Sequence, residues 1–281
     1  MFLESRYASC LTHLSLGVLT IAYFALLILV PFWIAFLPGV VIAHRIGVLL
    51  HEYLHGIPLR RYRYNHAVVT LFDGLMLMFG LLELFRGTHL AHHRWLNTDL
   101  DPAKETAGRT GGRRLVDLLA VLEAIQFLIY FRDALAGRKP YVRRGRLLLG
   151  AILSVATILV WIQAGHPEVA WKTFAIMVFT MLVPVSLRGA IEHHSHSGDP
   201  EFANEYKVWI PLFNLNRHIH HHEEPSVPWY LLKFRTERPL SRWNYFTRWF
   251  RVYVKRDFVL MQPMSGAAVK SSHDGQKTPA A

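Results

Sequence analysis

Twelve of the seventeen histidines fall in four short runs. His51 and His55 form H-x-x-x-H in HEYLH, and His89, His92 and His93 form H-x-x-H-H in HLAHH. His193, His194 and His196 lie in IEHHSH; His218, His221 and His222 form a second H-x-x-H-H, with His220 between them. On a helix, positions i, i+3 and i+4 share one face, so each box aims two or three imidazoles at one point. Imidazole nitrogen binds iron, copper, zinc and nickel. Without a metal, so many protonatable rings packed together would be electrostatically costly near pH 6. Eight box histidines plus one from IEHHSH give nine nitrogens, whereas a single tetrahedral zinc uses at most four protein ligands. Nine suit two irons with four or five each, leaving a position on each for oxygen or water. An all-nitrogen set differs from soluble di-iron bundles, which use Glu and Glu-x-x-His. The scattered His13, His44, His66, His166 and His273 read as interface residues.

The elements that must carry these boxes are apolar. The chain has 281 residues, 52% of them hydrophobic, a mean hydropathy of +0.21 and one cysteine. This excludes a disordered chain, a disulfide framework and a cysteine-bound cluster. The net charge of +11 would suggest nucleic acid in a soluble protein. In a chain this apolar it suggests instead a membrane protein with its basic residues on one side, and no nucleic-acid partner. The first apolar run is too long for a signal peptide and lacks a cleavage site.

Residues 14–50 read as a helical hairpin, with spans near 14–30 and 32–50 on either side of Pro31, since a span needs about 20 residues. Residues 147–162 and 170–187 read as a second hairpin. Neither tip carries Lys or Arg, while the segment 56–146 and everything after Arg188 carry many. The positive-inside rule then places the tips outside and both termini and the boxes in the cytoplasm. Residues 68–85 carry Asp73 and Glu83, and residues 115–131 carry Asp117, Glu123 and Gln126. Both read as interfacial or re-entrant helices, although six spans remain open. Aromatic and basic residues interleave over 228–257, an interface composition. The expected fold is an all-α integral membrane domain over residues 1–262. It has about four transmembrane helices in two hairpins, interfacial helices and a cytoplasmic histidine-rich cap, followed by a disordered tail over 263–281.

HEYLH, HLAHHRW, the run from Arg188 to His193, and Asn214-x-x-x-His218-x-x-His221-His222-x-x-Pro225-x-x-Pro228-Trp229-Tyr230 resemble, in order from about Val40 to Leu232, the membrane fatty acid desaturase family. The resemblance implies a mushroom-like four-span protein with a cytoplasmic cap, a di-iron centre, molecular oxygen, and two electrons from a separate carrier. By position, His51, His55, His89, His92, His93, His218, His221 and His222 match the family's ligands. His193 matches the extra histidine best, with His194 and His196 as alternatives, while His220 falls at a non-ligand place. Glu52, Asp99, Asp101, Glu192, Asn214, Glu223 and Glu224 sit beside boxes, where metal-bound histidines donate their other N–H. Glu192 and Asn214 are themselves part of the resemblance.

A cytochrome b5-like His-Pro-Gly-Gly motif is absent and the last box begins with His218 rather than Gln. A ferredoxin-like donor acting in trans is therefore expected, docking on the basic face. The resemblance implies oxygen-dependent desaturation of an acyl lipid or acyl thioester by a multi-pass protein of a bacterial inner membrane, with an apolar tunnel for the chain. Hydroxylases and carotenoid ketolases of the superfamily use similar boxes. HEYLH is also H-E-x-x-H, the zinc site of an intramembrane metalloprotease, for which Asp73 could be proposed as a third ligand. That reading leaves six later box histidines without a role. A haem-b cytochrome would instead place single histidines on facing helices.

Overall fold

The computed structural model describes residues 2–59, 61–98, 100–102, 121–185, 194–195, 206–207, 217–232, 241–244 and 259–260. These fall into two compact units, Met1–Thr88 with Leu119–Leu187, and His89–Leu118 with Arg188–Ala281.

The first unit is built from helices. Helix α1 (Phe2–Leu29) and α2 (Phe32–Leu54) are separated by Pro31, whose missing N–H suits a helix boundary. α2 runs on through Pro38. Then come α3 (Tyr62–Leu75), α4 (Leu81–Trp95), α5 (Val121–Leu135), α6 (Arg144–Gln163) and α7 (Pro167–Thr180). Three stretches, Ser9–Leu29, Phe32–Leu54 and Arg144–Gln163, are long and apolar enough to cross a membrane. Their outer faces show large apolar side chains, with Ile21 73%, Leu29 79% and Trp33 79% exposed. In water that surface would be costly, whereas in lipid it is matched. The protein is a membrane protein, and the described residues of its first unit are helical.

The fourth expected span differs in form. α7 ends at Thr180 and continues as a π-helical turn, Met181–Val185. Pro184 has no amide hydrogen to sustain the ordinary ladder there. The buried Lys172 of α7 donates to the carbonyls of Leu27 (2.6 Å) and Val30 (3.3 Å), satisfying the C-terminal end of α1.

The segment 68–85 is not one helix. It breaks between α3 and α4, where Leu77 and Phe79 take positive φ. Asp73 holds the break: its Oδ1 accepts from the Gly80 N–H at 2.6 Å and its Oδ2 from the Leu82 N–H at 3.0 Å, capping α4. Ser154 of α6 accepts from the Phe79 N–H at 3.0 Å. α3 and α6 pack so closely that a Cβ on Gly74 would lie 2.5 Å from Leu153 Cβ. Glu83 takes both Arg86 Nε (2.7 Å) and Nη2 (2.6 Å), and its Oε1 also accepts from the Arg143 N–H at 3.0 Å. Beneath this network Leu84, Tyr130, Ala134, Val142 and Leu147 form an apolar core.

The second unit holds the last two turns of α4 from His89, the loop to Pro102, and helices α8 (His218–Glu223) and α9 (Trp229–Leu232). Its strands are two to four residues long. β1 (His194–Ser195) pairs antiparallel with β4 (Val259–Leu260), and β2 (Tyr206–Lys207) pairs parallel with β3 (Ser241–Asn244). Leu96, Ile219 and Leu232 are buried in this unit. The tail, residues 263–281, lies outside the described residues.

Candidate metal centre

In the second unit the i, i+3, i+4 spacing does what helical geometry requires. α4 presents His89, His92 and His93 along one side, and α8 presents His218, His221 and His222. His93 Nε2 lies 3.0 Å from His89 Nε2 and 3.1 Å from His221 Nε2. His222 Nε2 lies 3.1 Å from His218 Nε2. The two groups adjoin, since the His93 and His222 rings stack with centroids 4.2 Å apart and His92 meets His222 edge-on at 5.1 Å. His89, the most accessible, is half-buried and the other five are buried.

Each imidazole nitrogen has either one proton or one lone pair. The Nε2 atoms of His89, His93 and His221 therefore cannot all be paired with one another at once, since His93 has one proton or one lone pair for two neighbours. A cation at their meeting point satisfies all three. Two imidazoles bound to one ion at right angles by bonds of roughly 2.1 Å would bring their nitrogens to about 3.0 Å. The nitrogen–nitrogen distances fit that arrangement, and the nitrogen-only donor set fits a borderline transition metal.

The outer ring atoms are also held. His92 Nδ1 faces both Asp101 oxygens at 2.9 Å. Asp101, itself buried, accepts from the Asn97 N–H at 2.7 Å. Asn97 makes this possible by taking φ 59° just after α4, which folds the chain back towards His92. His220 turns aside to Glu223 at 3.5 Å, and Glu224 is exposed.

In the first unit His51 and His55 sit on the last turn of α2 with ring centroids 4.7 Å apart. Their ligating nitrogens lie within 4.8 Å of one another, as do those of His89, His93 and His221. The helix stops at once after this pair. Ile57 N–H bonds Glu52 O at 3.1 Å and Gly56 N–H bonds Tyr53 O at 3.1 Å, with Gly56 at φ 74°. This Schellman end needs a residue without a Cβ at position 56. Burial pushes His55 down to about 3, so its ring is neutral, the form that binds metal.

Glu52 is buried and accepts from Thr12 Oγ1 at 2.7 Å. Asp99, Glu192, His193, His196 and Asn214 lie outside the described residues, as does the side chain of His194. Asp73, the aspartate a metalloprotease would need, has both oxygens engaged by the cap of α4.

One of the scattered histidines is not an interface residue: His66 is buried on α3 with the Tyr62 ring edge-on at 4.1 Å. His13, half-buried, hydrogen-bonds Tyr53. Apolar windows hide such partners, because their polar residues are too few to form a periodic signal. For α1 a trace was present, since Ser9, Thr12 and His13 stand at i, i+3, i+4.

Helices fit to cross a membrane and a cluster of imidazoles that could hold a metal ion define the class of a membrane protein with a candidate metal site. Residues 29–260 match the family model described as "Fatty acid desaturase", and the chain belongs to that family. A Caenorhabditis elegans protein described as "Putative sphingolipid delta(4)-desaturase/C4-monooxygenase" is 24% identical over 204 residues, covering 69% of this chain and 54% of the relative. The chain thus spans about half the length of that curated relative. No solved structure matches it.

Proposed function

We propose that this chain is an oxygen-dependent desaturase of a fatty acyl chain, working at a di-iron centre. Its ligands would be His51, His55, His89, His92, His93, His193, His218, His221 and His222. The observation that carries the reading is the convergence of the His89, His93 and His221 nitrogens in an all-imidazole group whose His93 and His221 are buried. When bound, the irons would use molecular oxygen and two electrons to remove two hydrogens from adjacent methylenes.

The chain's own residues do the rest. Asp101 accepts a hydrogen bond from the His92 Nδ1–H, which leaves the Nε2 lone pair as the one that would bind a metal. Glu52, Asp99, Glu192 and Asn214 serve other ligands in the same way. Burial of His92, His93, His218, His221 and His222 excludes water from the reacting carbon. The electrons come from a separate ferredoxin-like carrier drawn to the basic face. That face, the centre and both termini are cytoplasmic, in a bacterial inner membrane. The substrate is an acyl lipid or acyl thioester.

Hydroxylation is the second reading, because the relative's description joins a desaturase to a monooxygenase. One hydrogen removed and oxygen returned gives an alcohol, while two removed give an alkene, and substrate placement decides between them. The test is mass spectrometry of total lipids from cells expressing the chain and its His93→Ala variant. New monounsaturated acyl chains lost in the variant support desaturation; hydroxylated chains support the second reading. Unchanged lipids beside cleaved membrane-protein substrates would overturn both. Glu52→Gln separates the chemistries further, since it removes the general base of a zinc protease but leaves all nine imidazoles in place.

A further inference from the structure

The first histidine pair stands on a helix end whose rotation is set by polar contacts from α1. His51 and His55 occupy one side of α2, so Glu52 and Tyr53 between them project about 100° and 200° around the axis. Both are met by consecutive residues of α1. Thr12 Oγ1 donates to Glu52 Oε2 at 2.7 Å, with Thr12 1% and Glu52 3% exposed. His13 Nδ1 hydrogen-bonds the Tyr53 hydroxyl, and the two rings meet at 54° with centroids 5.6 Å apart. One turn earlier, Ser9 Oγ donates to the carbonyl of Pro58, just past the helix end, at 2.5 Å.

These three residues share one face of α1, and all three reach the same seven-residue stretch, Glu52 to Pro58. A hydroxyl in a membrane helix has no need of a carboxylate partner forty residues away, since it can bond its own i−4 carbonyl. Thr20 of the same helix does so, to Leu16 O at 2.7 Å. Thr12 instead spends its donor on Glu52. Removing that donor takes from the buried Glu52 carboxylate the hydrogen bond that α1 supplies, and with it a contact that sets the rotation of the helix end.

We infer that Thr12 and His13 are positioning residues: through Glu52 and Tyr53 they fix the rotation of the α2 terminus and so the aim of His51 and His55. The inference rests on the reading of that pair as iron ligands. It concerns residues outside every histidine box, and it assigns α1 a role beyond spanning the membrane.

The test uses full-length protein in detergent, reconstituted with ferrous iron, and reads iron retained against a graded chelator series together with the unfolding temperature of the metal-free protein. Thr12→Val keeps the shape and removes the donor; Thr12→Ser keeps the donor; His13→Phe removes the second contact. The expected result is iron retention weakened about tenfold in Thr12→Val and in His13→Phe, the low end for residues acting through a ligand's partner. Thr12→Ser retains iron as the wild type does, and the metal-free unfolding temperatures of Thr12→Val and Thr12→Ser agree. Wild-type retention in Thr12→Val overturns the inference, as does a loss in both Thr12 variants that tracks unfolding. Wild-type protein that takes up no iron overturns the reading beneath it, a separate outcome.

Discussion

Around Asp73, Glu83 and Arg86 each buried carboxylate oxygen accepts from a nitrogen held in place by the fold. Around His93 the buried nitrogens face one another at 3.0 and 3.1 Å. Both constellations are polar groups sunk in an apolar protein, and burying either without partners would cost several kcal/mol. The first is closed: donors match acceptors, and it needs nothing further. The second is open: its Nε2 atoms converge on one point, where a cation would be held in common. That difference separates polar residues that hold a fold from polar residues that hold a ligand, and it can be tested from both sides.

The largest effect is expected at the open constellation. His93→Ala removes the nitrogen shared by His89 and His221, and desaturation measured by lipid mass spectrometry should fall to background while the apparent unfolding temperature of metal-free protein changes little. A next, graded effect falls on its support. Asp101→Asn leaves His92 in place but weakens its acceptor, and iron affinity measured by chelator competition should drop ten- to a hundredfold, roughly the range for outer partners of metal ligands.

On the closed side, changes should move stability and leave iron affinity alone. Burial pushes the Asp73 carboxyl up to about 6, with the Gly80 and Leu82 N–H groups pulling it back. A folded value above the ordinary 3.8 means the folded state holds the proton more tightly. Its contribution is full below about pH 4 and is lost as pH rises to about 6. Against Asp73→Asn, the wild type should therefore lose on the order of 3 kcal/mol across that window and run parallel outside it, read as unfolding temperature against pH in detergent. The smallest effect is steric. Gly74→Ala puts a Cβ against Leu153 and should lower stability by about 1 kcal/mol, with iron retention unchanged. A loss of iron in either variant would break the distinction.

The same contrast explains what the sequence made legible. His89, His92 and His93, and His218, His221 and His222, announced themselves by spacing, because ligands on one helix face must recur at three and four residues. The spans of α1, α2 and α6 were legible for a similar reason, since crossing lipid demands a long apolar run. Asp73 was not. It lay in an apolar stretch that reads as one segment, and its role depends on a break at Leu77–Phe79 that the neighbouring Ser154 of α6 helps to hold. Thr12 and His13 were hidden likewise, because their partners Glu52 and Tyr53 stand forty residues away. Periodicity reveals groups that share an element, and long-range pairing leaves no such mark. The π-helical turn after Thr180 was foreshadowed only by Pro184.

The central claim is that the open constellation is a metal centre for iron, and metal analysis of detergent-purified protein tests it most directly, with His89→Ala and His221→Ala alongside. The account predicts about two irons per chain in the wild type and a marked loss in both variants. One zinc per chain, retained in both variants, would contradict it and point to HEYLH acting alone as a hydrolase site.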